Sequence, residues 1–327
     1  MTARYNPALD DTIVSRLPND RPSLRGRVFN RLLRLLPMKK RWSSAEAVNE
    51  RVRRLALNPP SHAPAGLGKD IDVRVENEPG WPVYHTSPAG RTDVRNHAVF
   101  LHGGGYIEEI VPPHWRFVDF LTREGPTRCV VPIFPLAPRA TAGDIVPALG
   151  RLLQKLLDEI GPDNVSVVGN SAGAGLAVAV AQWLRDHGHP QPRVLVLISP
   201  WLDASVSRKE QAAIAPVDPV QDIPGLIEAG RLYAGDLPVS HPFVSPLNGA
   251  FHSLAPMVVF SGTHDLLHPD SIALRDRAAQ AGAEVDLHVK GHMPHNYALL
   301  PTPEGREARA LVARIVGRTE LPRKRTP

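Results

Sequence analysis

Ser171 lies between glycines at −2 and +2 in Gly169-Asn170-Ser171-Ala172-Gly173, after the apolar run 165–168 and before an Ala-rich stretch reaching Ala181. A serine so spaced at a strand-to-helix turn reads as a nucleophile elbow, because the turn that lifts its hydroxyl clear crowds the chain at 169 and 173. Such a hydroxyl needs a base to take its proton, and the oxyanion formed on an attacked carbonyl needs fixed donors. Donors have a source in His102-Gly103-Gly104-Gly105-Tyr106, which follows another apolar run. Bare glycine backbone approaches a carbonyl oxygen closely, so the N–H groups of Gly103 and Gly104 are expected to join that of Ala172. His102 is expected to fix this loop rather than transfer protons.

Of the fourteen histidines, His292 and His295 follow the last β-type run, and the order Ser…Asp…His suits either. For the acid, Asp265 follows Gly262 by three residues at the end of another run. Asp270 directly precedes Ser271 and a helical stretch, which reads as a helix N-cap. Asp203 is a second rival. His264 and His268 read as loop residues.

A scaffold must hold these groups. Runs rich in β-formers fall at 71–76, 82–86, 97–101, 129–134, 165–169, 193–199, 257–261 and 285–290, giving eight strands. Helical periodicity falls at 114–124, 144–160, 171–187, 271–281 and 306–317, with a further piece near 223–233. From the third strand on, strands and helices alternate, which predicts an α/β fold with a mostly parallel sheet covered by helices on both faces. The connection 77–81 between the first two strands suits an antiparallel hairpin. The long segment 200–255 between strands six and seven reads as a functional insertion.

Near the N-terminus, Leu24, Val28, Leu32, Leu35 and Leu36 recur at helical spacing and end at Pro37. A second helix is expected from Ser43 or Ser44 through Leu57, before Pro59-Pro60. Residues 21–41 hold eight Lys/Arg and no acid, although the whole chain carries a net charge of +5. The basic helix is expected to be a cap whose apolar face packs on the main domain, rather than a membrane-surface helix. No nucleic-acid recognition motif accompanies these charges. The expected organisation is an N-terminal helical cap segment at 1–60 and a catalytic domain at 61–327, with a cap insertion at about 201–250.

Hydrophobic content of 43% and charged content of 22% suit a globular chain with a real core. The one cysteine, Cys129, lies in an apolar run and reads as a buried strand residue. No stretch approaches the length of a membrane span and the N-terminus has no signal-peptide core, so a cytoplasmic location without a stable membrane anchor is expected. No Cys/His cluster has zinc spacing, so neither metal nor cofactor is expected.

HGGGY, GNSAG, PIFPLAP (132–138), SPWLD (199–203) and SGTHDLLHPD (261–270) together resemble the hormone-sensitive-lipase-like esterases, a family with the α/β-hydrolase fold. The resemblance runs from residue 97 to about 300 in the family's order. It implies a carboxylic ester hydrolase with its acid at Asp265 and, through the pattern Gly-x-x-x-His, its histidine at His295. It also brings a homodimer through the edge strand 285–290 into view. Two departures stand out. The family usually reads Gly-Asp-Ser-Ala-Gly-Gly, where this chain has Asn170 and Ala174. The segment Ile107-Glu108-Glu109-Ile110 lacks a glycine often found there, so Glu108 or Glu109 is expected to narrow or charge the site's mouth.

The expected chemistry is an acyl-enzyme route in which Ser171 attacks, His295 shuttles the proton and Asp265 holds the imidazole. Tyr106, Trp42 and Trp201 are expected as pocket walls under a cap, giving a preference for small or short-to-medium acyl esters or lactones. Two alternatives stay open: a non-catalytic small-molecule receptor on the same fold, and an acyltransferase using the same serine.

Overall fold

The computed structural model describes residues 21–77 and 80–317; residues 1–20 of the expected cap segment and Glu78-Pro79 of the expected hairpin connection lie outside the described residues. The strands are β1 (Ile71–Glu76), β2 (Val83–Pro88), β3 (His97–Leu101), β4 (Arg128–Pro132), β5 (Val165–Asn170), β6 (Val194–Ile198), β7 (Met257–His264) and β8 (Val285–Pro294). They form an eight-stranded sheet in the order β1-β2-β4-β3-β5-β6-β7-β8. β1 pairs antiparallel with β2 and β2 with β4, and every later pair is parallel.

Both faces of this sheet are covered, which is why its inner strands read as continuous apolar runs. Along β6, Leu195 and Leu197 enter the core on one face, while Val194, Val196 and Ile198 enter the core on the other. The first core lies under α4 (Ala142–Ile160), α5 (Ala172–Asp186) and α8 (His268–Gln280), and the second under α3 (Pro112–Glu124) and α9 (Pro303–Val316). α5 is buried from Ala172 to Leu184, so its small residues serve close packing. A Cβ on Gly150 of α4 would come within 2.2 Å of the Trp183 ring of α5.

The chain steps from β3 out to β4 and then returns past β3 to β5. Strand order therefore reverses between β3 and β5, and crevices at such reversals are where open α/β sheets bind ligands. Leu101 pairs with Gly169, so the glycine loop after β3 and the serine turn after β5 emerge side by side.

The remaining helices are α1 (Leu24–Leu35), α2 (Ala45–Leu57), α6 (Lys209–Ile214) and α7 (Ile223–Ala234). Ser44 caps α2 by accepting from Ala47 N–H at 3.2 Å. α2 and a short 3-10 turn at Lys39–Trp42 pack on α7, with Asn49 donating to Glu228 at 2.7 Å.

Several expectations need correction. α1 does not pack by its apolar stripe: it docks through Gly26, Asn30 and Leu33, while Leu24, Val28, Leu32, Leu35 and Leu36 face outward. Asp270 is not an N-cap, because α8 begins at His268 with Leu267 as its cap. Its buried carboxylate instead accepts from Leu202 N–H (3.0 Å), Asp203 N–H (3.1 Å) and the Gln211 amide (3.3 Å), tying the β6 loop to α6. Burial pushes its pKa up to about 7. His264 ends β7, His268 opens α8 and His292 lies within β8, so none of these is a plain loop residue. Helix α6 has only six residues and was not expected from periodicity.

Leu197 is fully buried in the central strand β6. Leu197→Ala removes its packing and leaves a cavity, so unfolding free energy measured in urea is expected to fall by about 2–5 kcal/mol.

Candidate active site

β5 turns into α5 through Ser171 at φ 55 and ψ −123, a backbone conformation that is costly for any residue with a side chain. Hydrogen bonds hold it there. Ser171 N–H donates to Ile198 O at 2.8 Å, and its carbonyl accepts from Ala174, Gly175 and Trp201 N–H. A Cβ on Gly169 would lie 2.4 Å from Gly173 O, and one on Gly173 would lie 2.0 Å from Leu101 O. Both glycines are therefore obligatory for this turn.

Ser171, Asp265 and His295, which lie far apart in sequence, meet here. His295 Nε2 is 2.9 Å from Ser171 Oγ, and its Nδ1 is 3.0 Å from each oxygen of Asp265. With Nδ1–H donated to the carboxylate, Nε2 faces the hydroxyl as an acceptor. Burial disfavours a charged imidazole, but the charge and hydrogen bond of Asp265 and the charge of Asp218 outweigh it, holding His295 above the ordinary histidine value. Burial likewise opposes ionisation of Asp265. The charge of His295 and hydrogen bonds from His295, the Ser199 hydroxyl and Leu267 N–H overcome this and hold its pKa low. Of the rival residues, Asp203 turns into its own loop to accept from Ser205 N–H (3.0 Å) and hydroxyl (2.6 Å). His292 faces His264, with 3.2 Å between ring nitrogens.

The glycine loop departs from expectation at one residue. Gly103 N–H donates to Asn170 Oδ1 at 2.9 Å, so it is committed to holding the loop on the elbow. Gly104 (φ 132) and Gly105 (φ 60) adopt conformations suited to glycine, and among the described residues their N–H groups donate to no protein acceptor. Ala172 opens α5, so its N–H has no intrahelical acceptor. The donor set left facing no protein partner is therefore Gly104, Gly105 and Ala172. His102 is buried, stacked on Phe134 at 4.6 Å between centroids, and bonded through Nδ1 to Gly103 O at 2.8 Å. Burial lowers its pKa to about 4, so it supports the loop as a neutral ring.

Asn170 carries a further strain. Its Nδ2 is 3.4 Å from His114 Nε2, while Val111 N–H donates to His114 Nδ1 at 3.2 Å. Burial lowers the His114 pKa to about 3, and a neutral imidazole has one acceptor nitrogen, so one of these contacts goes unmade.

The three residues expected as pocket walls are packing residues to different degrees. Tyr106 stacks on Tyr233 at 3.6 Å between centroids and lies 5.3 Å from Trp201, so aromatic neighbours occupy its faces. Trp201 is 2% exposed and donates from its indole to Asp203 O at 3.1 Å. Trp42 does reach the glycine loop: a Cβ on Gly105 would lie 2.4 Å from its ring. Glu108 does not present a free charge, because Arg51 of α2 pairs with it. Glu109 is partly buried, and burial raises its pKa.

Sequence reading missed Asp218 and Gln221, both in the insertion. Asp218 Oδ1 accepts from Val220 N–H (2.7 Å) and Gln221 N–H (3.0 Å), and its Oδ2 accepts from Leu266 N–H (2.8 Å), next to Asp265 in sequence. Burial and the charge of Asp265 push its pKa up to about 6. Gln221 Nε2 lies 3.4 Å from His295 Nε2. The signal in the sequence was Asp218-Pro219, an aspartate able to cap the turn that follows it.

Residues 98–299 match a family with the α/β hydrolase fold. The chain is 33% identical over 255 residues to a triacylglycerol lipase of Mycobacterium tuberculosis, covering 77% of this chain and 52% of that protein. The chain thus spans about half the length of that lipase. It is 31% identical over 216 residues to an acetyl-hydrolase of Streptomyces hygroscopicus, covering 64% of this chain and 71% of that one. Its fold superposes on an esterase of the bacterial hormone-sensitive lipase family with a TM-score of 0.76 and 26% identity, over 91% of this chain and 99% of that one.

The electrostatics give a direct test. Titration of the His295 ring by NMR is expected to give a pKa above the ordinary value near 6.5, because nearby carboxylates favour its charged form. In Asp218→Asn one of those negative charges is gone, so the pKa is expected to move down. A pKa unchanged in that variant would mean that Asp218 does not act on the histidine.

Proposed function

The chain belongs to the hormone-sensitive-lipase-like esterases of the α/β-hydrolase fold, and on that premise we propose that it hydrolyses carboxylic esters through Ser171, His295 and Asp265. One observation carries the reading: an unbroken line of contacts at 2.9 and 3.0 Å from serine hydroxyl through imidazole to a buried carboxylate.

His295 Nε2 takes the proton as Ser171 Oγ bonds to the ester carbonyl. The resulting oxyanion is stabilised by the N–H groups of Gly104, Gly105 and Ala172, whose backbone is already in place. The imidazolium is stabilised by Asp265, which keeps Nδ1–H in its own hydrogen bond. Nε2–H then protonates the departing alcohol. Water attacks the acyl-enzyme by the same route, with His295 again as base, and Ser171 is released with the carboxylic acid. Every step returns its proton, and none requires a further reagent.

We assign a preference for small or short-to-medium acyl groups, under a cap formed by the Lys39–Trp42 turn and α2, the part of the expected 1–60 cap segment that packs on α7, and by the insertion at about 201–250. Support comes from the tight cover: Ser171 is 5% exposed, His295 is 7% exposed, and Gln221 and Trp42 reach the histidine and the glycine loop. The base His295 is present, which favours hydrolysis over a receptor role on this fold.

The test is hydrolysis of p-nitrophenyl esters from acetate to laurate. Wild type is expected to be fastest on the short chains, and Ser171→Ala to fall by at least about a thousandfold. The rate should also fall as pH drops through the raised pKa of His295, since only the neutral ring accepts a proton. A peak at laurate would remove the short-chain preference but keep the esterase. Equal rates in wild type and Ser171→Ala would remove the mechanism.

A further inference from the structure

α1 is docked by the wrong side for a cap helix. Apart from Leu33, the inward contacts named for it are polar or small: Ser23 N–H donates to Glu304 at 2.5 Å, Gly26 sits against the same carboxylate, and Asn30 donates to His292 O at 2.9 Å. Leu33 is the buried leucine of the helix. Leu24, Val28, Leu32, Leu35 and Leu36 are 48–80% exposed. At 100° per residue, Leu24, Leu35, Val28 and Leu32 fall within an arc of about 80°, well away from the docked side. Exposed apolar residues scattered singly need no explanation, but a contiguous stripe on one helix does.

The charges around the stripe select its partner. Arg31 and Arg27 lie on one side of it on the helical wheel and Arg25 borders the other, all exposed, and no acidic residue occurs between 21 and 41. A second copy of the chain meeting this face head-on would bring two such basic rows together, which repels. A surface of anionic headgroups over acyl chains matches both features, because leucines enter the acyl boundary while arginines stay at headgroup level.

We propose that α1 is a reversible docking helix for an anionic lipid surface. Such contact differs from a spanning anchor, and no described helix is long and apolar enough to cross a membrane. Apolar burial and the attraction of a basic row to anionic headgroups add together to set the strength of such interfacial binding. The proposal stands whether or not the protein is an esterase. Its bearing on the site is geometric: α1 lies on β8 at His292, three residues before His295, so docking would bring the triad end of the sheet close to the lipid.

The test is co-sedimentation of the full chain with phosphatidylcholine vesicles, with and without phosphatidylglycerol. Wild type is expected to bind the anionic vesicles at least about tenfold better than the zwitterionic ones, and to lose binding as salt is raised. Leu24→Ser with Leu32→Ser, and separately Arg25→Gln with Arg27→Gln and Arg31→Gln, are each expected to weaken binding at least about tenfold. All five side chains are exposed, so circular-dichroism melts should match wild type and exclude unfolding as the cause. Absence of wild-type binding, or binding unchanged in the leucine variant, overturns the proposal. Loss in the leucine variant but not in the arginine variant overturns the anionic partner. A wild-type dimer in sedimentation velocity that the leucine variant abolishes, without vesicle binding, assigns the stripe to a second copy instead.

Discussion

Everything at this site depends on how closely three backbone segments approach one another where strand order reverses. The first turn of α5 presses Gly173 against the carbonyl of Leu101, and the same turn folds Gly169 against Gly173. No side chain fits at either contact. Because β3 and β5 are neighbours in parallel register, the loop that follows β3 is carried to the serine without any long connection. Asn170 then fixes the separation of the two loops by accepting from Gly103. The strained conformation of Ser171 survives because the sheet, the helix and the glycine loop each determine it independently.

Much of this was legible in the residues, for physical reasons. Strands buried on both faces leave apolar runs such as 194–198, and such runs mark strand positions well. The glycine spacing around Ser171 is legible because steric exclusion leaves no other residue as a choice. The mostly parallel α/β sheet follows from the order of these elements, and the α/β-hydrolase fold from the resemblance that the motifs carry.

What could not be read depended on which neighbour a residue meets. Periodicity found α1 but could not say which arc would dock, since a glycine and an asparagine make contacts that a hydrophobic pattern ignores. Asp270 and Gly103 were each given a local role, cap and donor, while distant partners claim them: the β6 loop for one and Asn170 for the other. The β-type run at 285–290 covers only the first part of β8, because after an irregularity pairing with β7 resumes at Pro294, beyond His292 at φ 57. Tyr106 and Trp201, expected as pocket walls, instead pack against each other, and Tyr106 also stacks on Tyr233.

The Asp218 contacts carry a consequence for the thermodynamics of the site. One carboxylate both ties the insertion to Leu266 N–H and adds its charge to the field at His295. Any displacement that carries Asp218 away therefore weakens the histidine's hold on its proton. Reciprocity of linked equilibria then requires the converse: a protonated His295 holds the insertion down more firmly than a neutral one. Protonation of His295 and docking of Asp218 on Leu266 are thus two readings of a single coupling free energy. In the proposed reaction the imidazolium is therefore the state in which Asp218 is held most tightly against the Leu266 N–H.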